Sequence, residues 1–246
     1  MKRILVIGES CKDIFVYCEA ERLCPDLPVP ALQILHMTEN PGMAKNVERN
    51  IRAVFDHCDI FTNPNWETVT KTRYMHHRTN HMFIRIDTDH RMERVDVRAI
   101  PLTHHIIAIS DYNKGFLHEE DIRYVCEHHD NVFMDTKKIL GPFAQKARYI
   151  KINNYEYERS KHALTPELIN KTIYTHGDQG AYFRGKNYPV PQKVEVKDSS
   201  GAGDSFFAAL LAKYAEAEDI EKAIEYANLC ASEVVRHKGV AVIGQS

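Results

Sequence analysis

An α/β fold on a mostly parallel sheet is what the sequence predicts, and three observations carry it. From residue 105 to the end, short apolar runs alternate with helical segments, the pattern of βαβ units. Near the start, RILVIG (residues 3–8) is an apolar run closed by glycine, as a buried first strand feeding a turn is. Between these, strand-like segments 14–17 and 31–36 flank the Pro-rich stretch CPDLPVP, which marks a small β-flap rather than core.

The remaining elements follow in order. Residues 44–55 place Val47, Ile51 and Val54 at spacings of four and three, one apolar helical face, and Pro41-Gly42 before them reads as a turn. Residues 58–61 predict a short strand. Segments 69–75 and 82–87 alternate in polarity and predict a hairpin around RTNH. A strand over 106–110, a helix over 119–129, and strands over 132–135, 149–152 and 171–175 come next, with a polar helix start at Asn153. Helices over 202–216 and 220–237 close the chain. Residues 1–246 are expected to form a single domain, its flap built from about 14–36 and 69–87.

Composition bounds the function. Of 246 residues, 43% are hydrophobic and 27% charged, so an ordinary core can form; the net charge of -2 offers no basic stripe for nucleic acid. No apolar run reaches the ~20 residues of a membrane span. Six cysteines without a CxxC pair and a start that runs straight into a strand predict reduced thiols in a cytoplasmic protein. His77 and His81 have helical spacing, but the segment reads as strand and turn, where that spacing does not place them on one face; no metal site is expected there.

The sharpest motif is DSSGAGDSFF, residues 198–207. Its glycines let backbone amides approach a ligand, and it opens directly into an apolar helix whose unpaired N-terminal amides favour an anion. Asp204 would repel a permanently bound phosphate, but it fits as acceptor of a proton from a hydroxyl attacking beside one. A Gly-rich helix cap with an acidic first turn has the same composition, so the turn alone leaves both readings open. A P-loop GxxxxGK[ST] is missing from the sequence, and GxGxxG does not follow the first strand.

This motif resembles the D-T-x-G-A-G-D signature of the ribokinase-like (PfkB) carbohydrate kinases. Other segments agree in the family's order: Gly8-Glu9 followed by Asp13, Pro41-Gly42-Met43-Ala44-Lys45-Asn46, Asn153-Asn154-Tyr155-Glu156, and Thr175-His176-Gly177-Asp178-Gln179-Gly180. Within the family the chain is most similar to the heptose 7-phosphate kinase domain of ADP-heptose synthesis. That branch's flap phrase, T-K-T-R, R-[IV]-D and S-D-Y-x-K-G are matched by residues 25–30, 70–73, 85–87 and 110–115.

The resemblance implies a ribokinase-like fold and an ATP-dependent kinase acting on a sugar or sugar phosphate. It implies that Gly201, Ala202 and Gly203 form an anion hole and that Asp204 is the base. It places Asp13, Gly42 and Asn46 at the sugar, with Lys114 as a cation for a substrate phosphate. Asn153, Thr175, Gly177, Gly180 and Asn228 fall on the nucleotide side, and Asn153 and Glu156 organise Mg2+ through water. A homodimer joined through the flap is expected, since flap strands have edges that need covering.

The chain also departs from the family. Met43 stands at the family's second glycine and Lys45 at a small residue, both on the sugar side. The stretch between residue 55 and TKTR is too short for the strand and helix that relatives carry there, so a trimmed sheet is expected. These departures keep open a binding or regulatory protein that lost turnover, and the same fold also supports a kinase of a nucleoside or vitamin alcohol.

Overall fold

The computed structural model describes residues 1–88 and 92–244. The chain enters through β1 (Ile4–Gly8), then forms the long antiparallel pair β2 (Ser10–Leu23) and β3 (Pro30–Met43). Next come α1 (Ala44–Val54), β4 (Cys58–Phe61) and the hairpin β5 (Thr70–His76) and β6 (Met82–Asp87). The second half runs β7 (Ile106–Asp111), α2 (Glu119–His128), β8 (Val132–Thr136), β9 (Tyr149–Asn153), α3 (Asn154–Ser160) and α4 (Pro166–Ile169). It ends with β10 (Thr172–Thr175), β11 (Ala181–Phe183), β12 (Lys186–Tyr188), α5 (Ala202–Ala217) and α6 (Ile220–Val234).

Eight strands form the body in the order β12-β11-β10-β9-β8-β7-β1-β4, parallel from β10 to β4 with an antiparallel hairpin at the far edge. Strands buried on both faces need continuous apolar runs, and β1 illustrates why. Ile4 and Val6 pack with α1, α5 and α6, while Leu5 and Ile7 pack on the opposite face with α2. Between α1 and β5 the chain holds the single strand β4, which closes that edge of the sheet.

The lid is a second sheet in the order β3-β2-β5-β6. Its two faces differ. Phe15, Tyr17 and Met75 pack against Val240 of the body, so the alternation that carries them also turns Asp13, Lys71 and Arg73 toward the body. The opposite face presents Ile34, Met37, Ile84 and Ile86, each at least half exposed.

Several element expectations need correction. The flap strands are not 14–17 and 31–36 but span 10–23 and 30–43, because the backbone ladder continues past residues whose side chains show no alternation. Pro41-Gly42 is strand, not turn; β3 is an edge, where proline is tolerated. α6 stops at Val234 rather than 237, since the Val235 carbonyl accepts from the amides of Lys197 and Asp198. The β11–β12 hairpin was not foreseen. Its signal is Arg184-Gly185, both at positive φ (51° and 75°), the two-residue turn that twisted hairpins favour.

Candidate active site

Asp204 sits in the first turn of α5. Gly201 caps that helix at φ 79°, and a β-carbon there would lie 3.0 Å from both Asn46 Nδ2 and a Val240 methyl. The turn therefore needs glycine, and the first turn of the helix aims backbone amides into the cavity beside it. Asp204 is buried and accepts two hydrogen bonds: from Asn46 Nδ2 on Oδ2 at 2.9 Å, and from the Tyr112 hydroxyl on Oδ1 at 2.5 Å. Burial raises its pKa above the ordinary carboxylate value, the two donors pull it down, Asp135 pushes it up and Lys151 draws it down.

One flank of Asp204 is built from β2, the end of β3 and α1. Asn50 Nδ2 donates to Asn46 Oδ1 at 3.1 Å, which turns Asn46's amide nitrogen toward Asp204. Asp13 lies 2.5 Å from the Arg73 guanidinium, and a β-carbon at position 42 would meet Asp13 Oδ2 at 2.5 Å, so a side chain there would displace Asp13. Met43 keeps a glycine-like backbone (φ 61°, ψ -130°) with its side chain buried. Such conformations cost of order 1–3 kcal/mol, here offset by burying the thioether. Lys45 does not enter the site: its ammonium lies 4.9 Å from the Trp66 ring centroid and 3.8 Å from Glu48. Lys114 lines a cleft with Arg94, His118 and Lys138, and also a small cavity with Met43 and Lys71.

On its other flank is a cavity of about 270 Å³ lined by Tyr112, Asp135, Lys137, Lys151, Asn153, Thr175, Gly201, Gly203 and Asp204. Through Thr175 and Gly203 it adjoins a larger, mostly apolar cavity of about 440 Å³. That one is walled by Gly177, Gly180, Val194, Phe206, Asn228 and Val235, among others. Of the residues singled out from sequence, the two cavities thus gather Asp204, Gly201, Ala202, Gly203, Asn153, Thr175, Gly177, Gly180 and Asn228.

Glu156 stands behind the wall. It closes a capping box with Asn153 and accepts a hydrogen bond from Lys137. Burial works against the Lys137 ammonium, but Asp135 and Glu156 outweigh it and its pKa lies above an ordinary lysine's. Lys151, fully buried, pairs with Asp135 Oδ2 at 2.8 Å, while Asp135 Oδ1 has no hydrogen-bond partner among the described residues.

Tyr112, Asp135, Lys137, Lys151, Arg73 and Lys71 were not singled out from sequence. A signal existed: Asp135-Thr136-Lys137 ends a predicted parallel strand, and ligands of such sheets sit at the strands' carboxyl ends. Among the described residues there is no His/Cys/Asp/Glu cluster able to hold a metal by itself.

A glycine-capped helix turn, a buried carboxylate and two lysines thus meet at one cavity. The chain belongs to the pfkB family of carbohydrate kinases, whose model matches residues 119–244. It is similar to the bifunctional protein HldE of Helicobacter pylori (strain J99), 27% identical over 301 aligned positions, covering 98% of this chain and 64% of that protein. The chain therefore spans under two thirds of that relative's length, and the aligned stretch exceeds its own 246 residues, so it carries gaps against the relative.

Among solved structures, ribokinase from Thermotoga maritima superposes with a TM-score of 0.76 at 18% identity, covering 98% of this chain and 95% of that one. Ribokinase from Arabidopsis thaliana, solved with ribose and ATP, gives 0.68 at 15% identity, covering 98% and 95%. These likenesses establish a ribokinase-like fold. No described helix is long and apolar enough to cross a membrane.

Proposed function

We propose that the protein transfers the γ-phosphoryl group of ATP to a hydroxyl of a sugar phosphate, with a heptose 7-phosphate as the acceptor and Asp204 as the general base. The observation that carries this is the position of Asp204, buried at the floor of the lysine-lined cavity and within reach of the helix amides. The apolar cavity suits an adenine base beside Asn228. The smaller one suits the phosphates, with Lys137 and Lys151 as counter-charges. Phosphoryl transfer needs in-line positioning and charge neutralisation more than covalent chemistry. Asp204 takes the acceptor's proton, while the α5 amides meet the charge that develops on the phosphoryl oxygens.

The donor set fits Mg2+. Asp135 Oδ1 is buried without a hydrogen-bond partner among the described residues, on a wall shared with Asn153 and Thr175, oxygen chemistry that suits a cation keeping several waters. Asp135 and Asn153 would hold it through water, and Glu156 fixes Asn153 from behind. Bound there, the ion supplies charge neutralisation on the ATP phosphates. The heptose assignment rests on the flap phrase and on the TKTR and SDYNKG segments, to which the likeness to HldE adds weight.

A second copy of the chain is the proposed cover for the lid's outer face, where Ile34 and Met37 on β3 and Ile84 and Ile86 on β6 are exposed. A monomeric mass by light scattering at micromolar concentration would count against it. The function is tested with purified protein, MgATP and a panel of sugars and sugar phosphates, reading ADP release. Turnover with a phosphorylated heptose is expected, and Asp204→Asn should lower kcat by about 10²–10⁴-fold. Saturable sugar binding without ADP release, or turnover confined to a nucleoside, overturns the reading.

A further inference from the structure

We propose that Tyr112 is a positioning residue for the base, its hydroxyl fixing the orientation and the ionised state of Asp204. This rests on the reading of Asp204 as the base. Among the described residues Asp204 accepts two side-chain hydrogen bonds, one on each oxygen: Asn46 Nδ2 at 2.9 Å and Tyr112 Oη at 2.5 Å. A carboxylate oxygen takes about two donors, so each keeps one acceptor position whose direction the existing donor sets. Asn46 is committed as a donor because its own oxygen is occupied by Asn50. Tyr112 is the second anchor, and without it the carboxylate can swing about its remaining bond.

Tyr112 is itself braced at every level. Its backbone amide donates to Glu9 Oε2 at 2.6 Å, and the amide of Lys114 donates to Glu9 Oε1 at 2.8 Å. Next to it, Asp111 is held by Lys138 at 2.8 and 2.9 Å and by the Asn113 amide at 3.0 Å. The ring lies 4.9 Å from the Lys71 ammonium of the lid and 5.4 Å from that of Lys137 in the phosphate cavity. The residue therefore stands where lid, acceptor site and donor cavity meet.

Burial, with the Asp204 charge beside it, pushes the phenol's pKa well above an ordinary tyrosine's; the hydroxyl stays protonated and acts as a donor. The other charged groups facing this pair are Asp13 from β2, Lys71 and Arg73 from β5, Asp135 and Lys137 at the end of β8, and Lys151 from β9, with the Cys11 thiol close by. α1 contributes the uncharged Asn46. None of the charged groups donates a hydrogen bond to Asp204 among the described residues, so none substitutes for the phenol.

The test is a double-variant cycle of Tyr112→Phe with Asp204→Asn, read by thermal melting from pH 5 to pH 8. The melting gap between wild type and Tyr112→Phe is expected to widen as pH rises, because the variant buries a charged Asp204 that has lost a donor. In the Asp204→Asn background the gap should be small and flat. A gap equal in both backgrounds and constant with pH means the hydroxyl only fills space, and overturns the proposal. Should Tyr112→Phe not fold, the double variant decides: recovery of folding supports the role, and a second failure sinks it.

In wild type that turns over, Tyr112→Phe should lower kcat at pH 6–7 by about 10-fold, with KM for ATP unchanged. The acid limb of kcat should move up by about one pH unit. Superimposable pH profiles overturn the proposal. Absence of turnover in the wild type would instead overturn the kinase reading and leave the melting cycle to decide this one.

Discussion

Two lysine–carboxylate clusters lie a few residues apart in this protein, and they are finished differently. Behind Tyr112, Asp111 receives the Lys138 ammonium on both oxygens, the Thr136 hydroxyl and the Asn113 amide, while Glu9 receives two backbone amides. Every oxygen there is used and the Asp111 side chain has no exposure. At the cavity, Asp135 takes a hydrogen bond from Lys151 on one oxygen, while the other has no hydrogen-bond donor among the described residues, the Lys137 ammonium standing 4.0 Å away. Full satisfaction fixes a backbone turn in place; a carboxylate oxygen without a hydrogen-bond donor, facing a cavity, is open to a ligand. Residue type alone does not tell the two apart.

Three measurements test that contrast. The largest effect is expected for Lys138→Met, which strands Asp111 and Glu9 together away from water. Breaking a buried pair from one side costs about 3–5 kcal/mol, read as a drop in urea-unfolding free energy. A loss below about 1 kcal/mol would place the satisfied cluster on the same footing as a surface pair.

The next concerns Glu9, which burial, and then the neighbouring Asp111 charge, push up to about 7 from 4.5. Glu9 binds its proton more tightly folded than unfolded. Its stabilising share is complete below pH 4.5 and is lost as pH rises through about 7, worth up to about 3 kcal/mol. Unfolding titrations of Glu9→Gln should lack that downward slope; an unchanged slope would assign it elsewhere.

The smallest stability change belongs to Asp135→Asn, about 1 kcal/mol, because Lys151 keeps an amide oxygen and the adjoining cavity admits water. Its signature is functional instead: the Mg2+ concentration for half-maximal rate should rise, with ADP release falling by about 10-fold or more. A large stability loss with normal Mg2+ dependence would make Asp135 structural, like Asp111.

The body was legible because parallel strands must be apolar on both faces. IIAISD and VFMDT can be read as β7 and β8 without knowing their neighbours. The lid was not, since β2 and β3 alternate only in part and are held by ladder hydrogen bonds that leave no trace in side-chain pattern. At the site, the Gly201–Asp204 turn announces itself by composition. Lys151 and Asp135 meet only across adjacent strands, and Tyr112 reaches Asp204 from 92 positions away; no local pattern encodes such pairs. Met43 taught something different: a position where glycine is expected was filled by a side chain that the core accepts while the backbone keeps the glycine shape.

The joints between body and lid have no slack. One residue, Glu9, separates β1 from β2, and β3 runs into α1 with nothing between Met43 and Ala44. The Ala44 amide then ties both joins together by donating to the Glu9 carbonyl at 2.9 Å. Strands alternate their side chains with a period of two, so one extra amino acid spliced in after Gly8 would carry Asp13 and Phe15 to the outside and bring Ile14 in. The length of this crossing, as much as its chemistry, is what any graft of a foreign lid onto the body would have to preserve.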